Sequence, residues 1–151
     1  MPAALSKGAD DPLRLTAKAL KYFEKAVPIR ERIWDWARLA VSFHNIGEAL
    51  YAMRRSEEAL DYFDRALKLE DQVDDYAGKA ATLYAKARLL HGTEEPASET
   101  LAQTVLAEAI ETLQSKSLKI TSAGTSLEYM LELLEDWRAA RPTVPAPGPT
   151  I

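Results

Sequence analysis

The chain has 151 residues, of which 47% are hydrophobic and 28% charged, a composition typical of one globular domain rather than of a fibrous or disordered chain. Its net charge of −4 argues against a nucleic-acid-binding surface, and the lack of cysteine excludes disulfides and thiolate metal sites. No stretch approaches the roughly 18 apolar residues of a membrane span or resembles a signal peptide, so we expect a cytoplasmic protein without a membrane or nucleic-acid partner.

The first helix is predicted to follow an N-terminal arm, residues 1–10, which we expect to be flexible. Asp11 is a favourable N-cap and Pro12 has the φ angle of a first helical position, so the helix should start there. Apolar residues then recur at every third or fourth position. Because a proline inside a helix removes a hydrogen bond and clashes with the preceding turn, Pro28 is predicted to kink or stop this helix.

Three further helices are predicted in the middle of the chain from the same apolar spacing. The second covers about 35–53, and the third covers about 57–72 with Ser56 as its N-cap. The fourth is capped by Asp75 and ends near Leu90. No alternation with a period of two interrupts them, so we expect no sheet.

The last two helices are predicted over about 97–116 and about 120–140. The start of the sixth is weak because its first residues are poor helix formers, but its apolar positions are regularly spaced. These positions are Ile120, Ala123, Leu127, Met130, Leu134 and Trp137. The segment 141–151 holds four of the eight prolines and cannot continue a helix, so it is predicted to form a Pro-rich tail.

The chain also contains an internal repeat. The segment ALKYFEKA at 19–26 returns as ALDYFDRA at 59–66, and the correspondence continues at an offset of forty residues, with a weaker third copy around Ala102. Repeated helix pairs complete their core only when neighbours stack, which is the pattern of a solenoid. We therefore predict an all-α fold of about six helices, an antiparallel helix-pair solenoid over 11–140 that the helix at about 120–140 caps.

Residues 40–73 resemble a tetratricopeptide repeat. The positions of the family signature are occupied by Phe43, Ile46, Gly47, Leu50, Ala59, Phe63 and Ala66. The forty-residue period is longer than the usual period of about 34 and is similar to the extended repeats of spindle-orientation adaptors, kinesin light chains, MalT-type regulators and Rap-type peptide receptors. The resemblance implies that Ala59 and Ala66 lie where paired helices cross, that Phe63 fills the space between repeats and that Gly47 lets the partner helix approach.

In proteins of this family, the first helix of each pair lines a concave groove. Carried over to this sequence, the groove positions are Val41, His44, Asn45, Glu48, Tyr51, Tyr84, Arg88 and His91. Aromatic rings there would supply contact area, while Glu48 and Arg88 would orient a bound peptide or helix. The alternative interpretation is that His44 and Tyr84 pack between helices and that Asn45 forms a local cap or hydrogen bond.

The sequence offers few groups for catalysis. The only two histidines, His44 and His91, have no metal-binding spacing, and the six scattered glycines form neither a dinucleotide-binding nor a phosphate-binding loop. Serine and threonine follow no nucleophile-elbow pattern. We therefore predict a protein that is not an enzyme and that uses no cofactor and no metal.

The predicted function is a protein–protein interaction module, such as an adaptor, that binds a peptide or helix of another protein in the groove. Two alternatives stay open: a self-associating regulatory or sensory segment of a larger signalling or transcription protein, and a chaperone-like accessory subunit. The first helix matches the second helix of a repeat, so it lacks a partner on its outer side near Leu13, Leu20 and Val27. This open side leads to the hypothesis of a homodimer through the N-terminal helix.

Overall fold

A computed structural model describes residues 11–93 and 95–140, which form six α-helices. The helices are α1 (Pro12–Arg32), α2 (Trp36–Ala52), α3 (Ser56–Gln72), α4 (Tyr76–His91), α5 (Pro96–Ser115) and α6 (Leu127–Ala139). The predicted arm, residues 1–10, and the predicted tail, residues 141–151, lie outside the described residues. The prediction of an all-α fold with about six helices is confirmed.

The helices stack in the order of the chain. Each one packs against the next, and α2 also contacts α4, whereas α1 and α6 do not meet in the described ranges. One core cluster surrounds Phe63 and joins α1 to α4, and a second surrounds Leu106 and joins α4 to α6. This serial packing is that of the predicted helix-pair solenoid. None of the helices in the described part combines the length and the apolar character needed to cross a membrane.

The turns after α1, α2 and α3 share one geometry. Each contains one residue with a positive φ angle, and these are Trp34 (57°), Arg54 (61°) and Asp74 (55°). The following residue donates a backbone hydrogen bond to the carbonyl five positions earlier, and these bonds join Asp35 to Arg30, Arg55 to Leu50 and Asp75 to Glu70. Such a bond closes the end of a helix. Equal turns spaced by twenty residues repeat the same change of direction, so two of them make one forty-residue repeat.

The helix caps follow the sequence prediction at two places and differ at a third. Asp11 accepts a hydrogen bond from the second residue of α1 and Asp75 accepts one from Gly78, as predicted. The prediction of Ser56 as an N-cap is wrong, because Ser56 is already the first residue of α3. Arg55 occupies the cap position without a side-chain hydrogen bond, since the repeated turn fixes where the helix begins.

The first helix is longer than predicted. Of the two predicted effects of Pro28, a kink or a stop, the stop is wrong, because α1 continues to Arg32. A proline removes only one intrahelical hydrogen bond, and tertiary contacts hold the last turn in place. Arg30 donates to the carbonyl of Arg38 (2.7 Å) and to the hydroxyl of Ser42, both on α2.

The crossing of α2 and α3 is close, as predicted. Ala59, Phe63 and Ala66 are completely buried. A Cβ atom added to Gly47 would lie 2.5 Å from the ring of Phe63, closer than two carbon atoms can approach. The glycine therefore lets the aromatic ring fill the space between the helices.

The sixth helix is shorter than predicted. Its range is Leu127–Ala139 rather than about 120–140, because the preceding residues form a compact turn. In this turn Thr121 donates its backbone N–H to the carbonyl of Thr125 (2.9 Å), and Ile120 forms an isolated bridge with Ser126. Ile120 is 53% exposed instead of lying on the inner side of a helix.

Candidate functional site

The predicted groove positions lie on two neighbouring helices. Five of them are on α2, namely Val41, His44, Asn45, Glu48 and Tyr51, and three are on α4, namely Tyr84, Arg88 and His91. Because α2 and α4 are in contact, their side chains can meet at one surface. The structure brings four of these residues together directly, as the next contacts show.

An ion pair between α2 and α4 forms the centre of this surface. The Nη2 atom of Arg88 lies 2.9 Å and 3.3 Å from the two carboxylate oxygens of Glu48. The guanidinium of Arg88 also lies over the ring of Tyr84, with its carbon 5.0 Å from the ring centroid. More than a third of each charged side chain remains exposed, so the pair itself contributes about 1 kcal/mol or less to stability. Its main effect is to fix the orientation of both groups.

Tyr129 extends this surface to α6. Its ring lies 6.4 Å from the ring of Tyr84 in an edge-to-face arrangement, and half of Tyr129 is exposed. Burial, followed by the hydrogen bond and the charge of Tyr129, raises the pKa of Tyr84, so the hydroxyl of Tyr84 stays protonated at neutral pH. Sequence reasoning missed Tyr129 because it treated the sixth helix as a cap. The position of α6 after a complete helix pair, where the first helix of a further repeat would lie, was the available signal.

His44 lies mostly behind this surface. Its Nδ1 atom is 2.9 Å from the hydroxyl of Thr82, and its ring centroid is 5.8 Å from that of Phe63. Burial lowers the pKa of His44; Glu48 opposes this change and Arg88 adds to it. A neutral imidazole at neutral pH follows, and only its Nε2 edge, 4.0 Å from Glu48, approaches the open side.

The hydroxyl of Thr82 continues this network to a buried carboxyl group. Thr82 donates to an oxygen of Glu70 (2.8 Å), while the other oxygen of Glu70 has no partner in the described ranges. Burial raises the pKa of Glu70 to about 8; the charges of Asp75 and Asp71 add to this effect, whereas the Thr82 hydrogen bond and Lys79 oppose it. Glu70 is therefore mainly uncharged at neutral pH.

His91 is held by α5 and α6. Its ring stacks on Trp137 with a centroid distance of 4.1 Å and an interplanar angle of 9°, and its Nδ1 atom lies 2.7 Å from Glu99. Gln103 donates to both Glu99 and the carbonyl of Trp137. The contacts of His91 therefore connect three helices at one end of the predicted groove.

The three remaining positions differ in what they offer a ligand. Half of Val41 is exposed, and Asn45 is half-buried, with no hydrogen bond from its side-chain amide to another described residue. Tyr51 is half-buried beside Gly92. Across residues 11–93 and 95–140, no three carboxylate or imidazole groups cluster closely enough to hold a metal ion. The three positions therefore offer a ligand contact area and hydrogen-bonding groups.

Comparison with known families agrees with the helix-pair architecture. The model of the tetratricopeptide repeat family matches residues 13–70 and residues 38–115, which together span α1 to α5 and more than half of the chain. No curated protein and no solved structure matches the chain. The serial stacking of the helices, the Gly47–Phe63 crossing and the family match all agree. The chain belongs to the tetratricopeptide repeat family.

Proposed function

We propose that the chain is an adaptor that binds a peptide or helix of another protein along the surface of α2, α4 and α6. Tetratricopeptide repeats generally mediate protein–protein interaction. The observation that supports this particular surface is a continuous row of partly exposed side chains. The row consists of Glu48, Arg88, Tyr84 and Tyr129.

The row is arranged before any ligand binds. Glu48 holds the guanidinium of Arg88, which in turn lies on Tyr84, so a ligand finds rings whose conformations are already restricted. Preorganised aromatic residues lose little conformational entropy on binding and supply much of the energy at protein interfaces. Because Glu48 and Arg88 neutralise each other, we expect apolar side chains of the ligand to pack on Tyr84 and Tyr129.

Polar recognition would come from the edge of this row. The side-chain amide of Asn45 can donate to and accept from the main chain of an extended ligand. The exposed half of Val41 adds apolar area one turn before Asn45. A chaperone-like accessory subunit would use the same contacts for a single dedicated partner.

A matched pair of double variants tests this surface. Tyr84→Ala/Arg88→Ala removes one ring and one guanidinium from the row. Tyr62→Ala/Arg65→Ala removes the same groups from α3, where Arg65 lies over Tyr62 at the same distance of 5.0 Å. Peptides selected from a random library against the wild-type protein are then measured with both variants by fluorescence anisotropy.

We expect the α4 variant to bind the selected peptides more than tenfold more weakly, because the loss of a central aromatic and an arginine typically costs 2 kcal/mol or more. The α3 variant should bind within about twofold of the wild type. Circular dichroism checks that both variants keep their helical content. Equal affinities for the two folded variants would contradict the proposal.

A further inference from the structure

Helix α1 carries a second apolar stripe that no other helix in the described ranges covers. Leu20, Phe23 and Val27 pack on the core beside α2, which is the only described helix that contacts α1. A separate stripe with alternating spacings of four and three residues lies next to them. It consists of Leu15, Ala19, Tyr22, Ala26, Ile29 and Ile33, and we call it the open stripe. Its four large side chains are between 51% and 70% exposed.

The corresponding residues of α3 show which kind of element packs on such a stripe. Forty residues later lie Ala59, Tyr62, Ala66, Leu69 and Val73. There Ala59 and Ala66 are completely buried, and the ring of Tyr62 lies 5.8 Å from that of Phe43 on α2. A helix therefore covers this stripe in α3. From Ala19 to Ile33 the open stripe of α1 has small and large residues in the same order, so it is shaped for a helix packed as α2 packs on α3.

Charge distinguishes the two stripes. Along the open stripe runs a row of exposed basic residues at seven-residue spacing, Lys18, Lys25 and Arg32, which we call the basic row. The corresponding residues of α3 are Glu58, Arg65 and Gln72, which are mixed in charge. In total α1 has six basic and two acidic residues in a chain whose net charge is −4. A helix that covers the open stripe should therefore carry acidic residues beside its apolar side chains.

We propose that the open stripe docks an acidic amphipathic helix of another protein, whose carboxylates lie along the basic row. The contact is separate from the surface of α2, α4 and α6, because α1 touches neither α4 nor α6. Pro28 does not interfere, because it lies outside the stripe. The partner is defined by its chemistry: apolar side chains at alternating spacings of three and four, flanked by Asp or Glu.

A second copy of this chain is the competing occupant, since the sequence predicts a homodimer through this helix. Antiparallel pairing of two α1 helices would place the two basic rows side by side. Parallel pairing would place each basic row against Thr16, Phe23 and Arg30 of the other copy, none of which is acidic. Neither orientation supplies carboxylates to the basic row, so charge favours a different, acidic protein.

Two designed helical peptides with identical apolar stripes test the proposal, one flanked by Glu and the other by Lys. We expect the wild-type protein to bind the Glu peptide at least tenfold more tightly in fluorescence anisotropy, because several ion pairs replace repulsions. Lys18→Glu/Lys25→Glu/Arg32→Glu should reverse this preference. The control Lys68→Glu/Lys119→Glu/Arg138→Glu changes the net charge equally at exposed residues outside α1 and should keep the preference for the Glu peptide.

Three results would overturn the proposal: equal binding of the two peptides, no binding of either, or the same reversal in the control variant. Sedimentation of the wild type as a dimer that Tyr22→Arg converts to a monomer would instead assign the open stripe to a second copy. Tyr84→Ala/Arg88→Ala should bind the Glu peptide like the wild type. That variant therefore tests the two proposals independently: it removes the proposed binding surface of α2, α4 and α6 and leaves the open stripe unchanged.

Discussion

Helices α1 and α3 share one apolar segment, residues 19–26 and 59–66, in different surroundings. Ala59, Phe63 and Ala66 of α3 are completely buried, whereas the same three residue types, forty residues earlier in α1, are only partly buried. Helix α3 lies between α2 and α4, while α1 packs on α2 alone among the described helices. In a solenoid a repeat takes its stability from its neighbours, so identical side chains contribute unequally at the end and in the middle.

A polar contact repeats in the same way. Arg30 donates to the hydroxyl of Ser42, and forty residues later the hydroxyl of Thr82 donates to Glu70. Both hydroxyl-bearing residues are completely buried, but Arg30 is partly exposed and Glu70 is buried. The hydroxyl is a fixed element of the repeat, and the group that bonds it depends on how much water reaches that position.

The largest expected effect is a difference in stability between alanine substitutions of Phe63 and Phe23. Phe63→Ala should lower the free energy of unfolding by about 3–5 kcal/mol, because it leaves a cavity between two repeats. Phe23→Ala should cost only about 1–2 kcal/mol, because less buried area is lost. Urea unfolding followed by circular dichroism measures both. Equal losses would mean that α1 is covered as completely as α3 in solution.

The close crossing of α2 and α3, which has no counterpart at α1, provides the next test. Gly47→Ala should destabilise the protein by about 1–3 kcal/mol, because the added methyl group overlaps the ring of Phe63. In a Phe63→Leu background the same substitution should cost less, since Leu leaves room. The third repeat already has this combination, with Ala87 and Leu106 at the corresponding positions. Strictly additive effects in this double-mutant cycle would contradict the close approach.

The third expected effect concerns the dependence of stability on pH. Because the pKa of Glu70 is about 8 in the folded chain and near 4.5 when unfolded, ionisation is disfavoured in the folded state. The free energy of unfolding should therefore fall as pH rises between these values, by up to about 1.4 kcal/mol per unit. Glu70→Gln should remove this slope, and Arg30→Gln, at the corresponding position, should retain it.

The measurement should cover pH 6.5 to 8.5, which separates Glu70 from His44. The lowered pKa of His44 acts in the opposite direction: it costs stability as pH falls below about 6.5, because the unfolded imidazole binds a proton more readily. A slope that persists in Glu70→Gln above pH 6.5 would show that another group causes it.

Most helix positions could be predicted from the sequence, and the errors at the end of α1 and the start of α6 have tertiary causes. Asp11 and Asp75 were recognisable caps because the cap hydrogen bond is local. The end of α1 was misplaced because Arg30 holds its last turn on α2. The start of α6 was misplaced because Ser122 donates its backbone N–H to the carbonyl of Ala77 on α4, a contact that no local pattern reveals.

The proposed binding surface was predictable only in part. The repeat register placed Glu48 and Arg88 forty residues apart at the same position, but not the ion pair that joins them. Nor could it show that His44 lies behind the surface, or that Tyr129 extends it. These features depend on distances between helices, which the spacing of residues within one helix does not determine.

The sequence by itself determined the helices, their repeat and most of their caps, because helical periodicity and cap hydrogen bonds involve residues close together in the chain. Only the tertiary structure decided which copy of the repeated face is buried, that Glu70 is mainly uncharged at neutral pH, and that α1 exposes an apolar stripe beside a basic row. Burial and desolvation depend on which helices are neighbours in space. That is why the repeated segment has different properties in α1 and in α3.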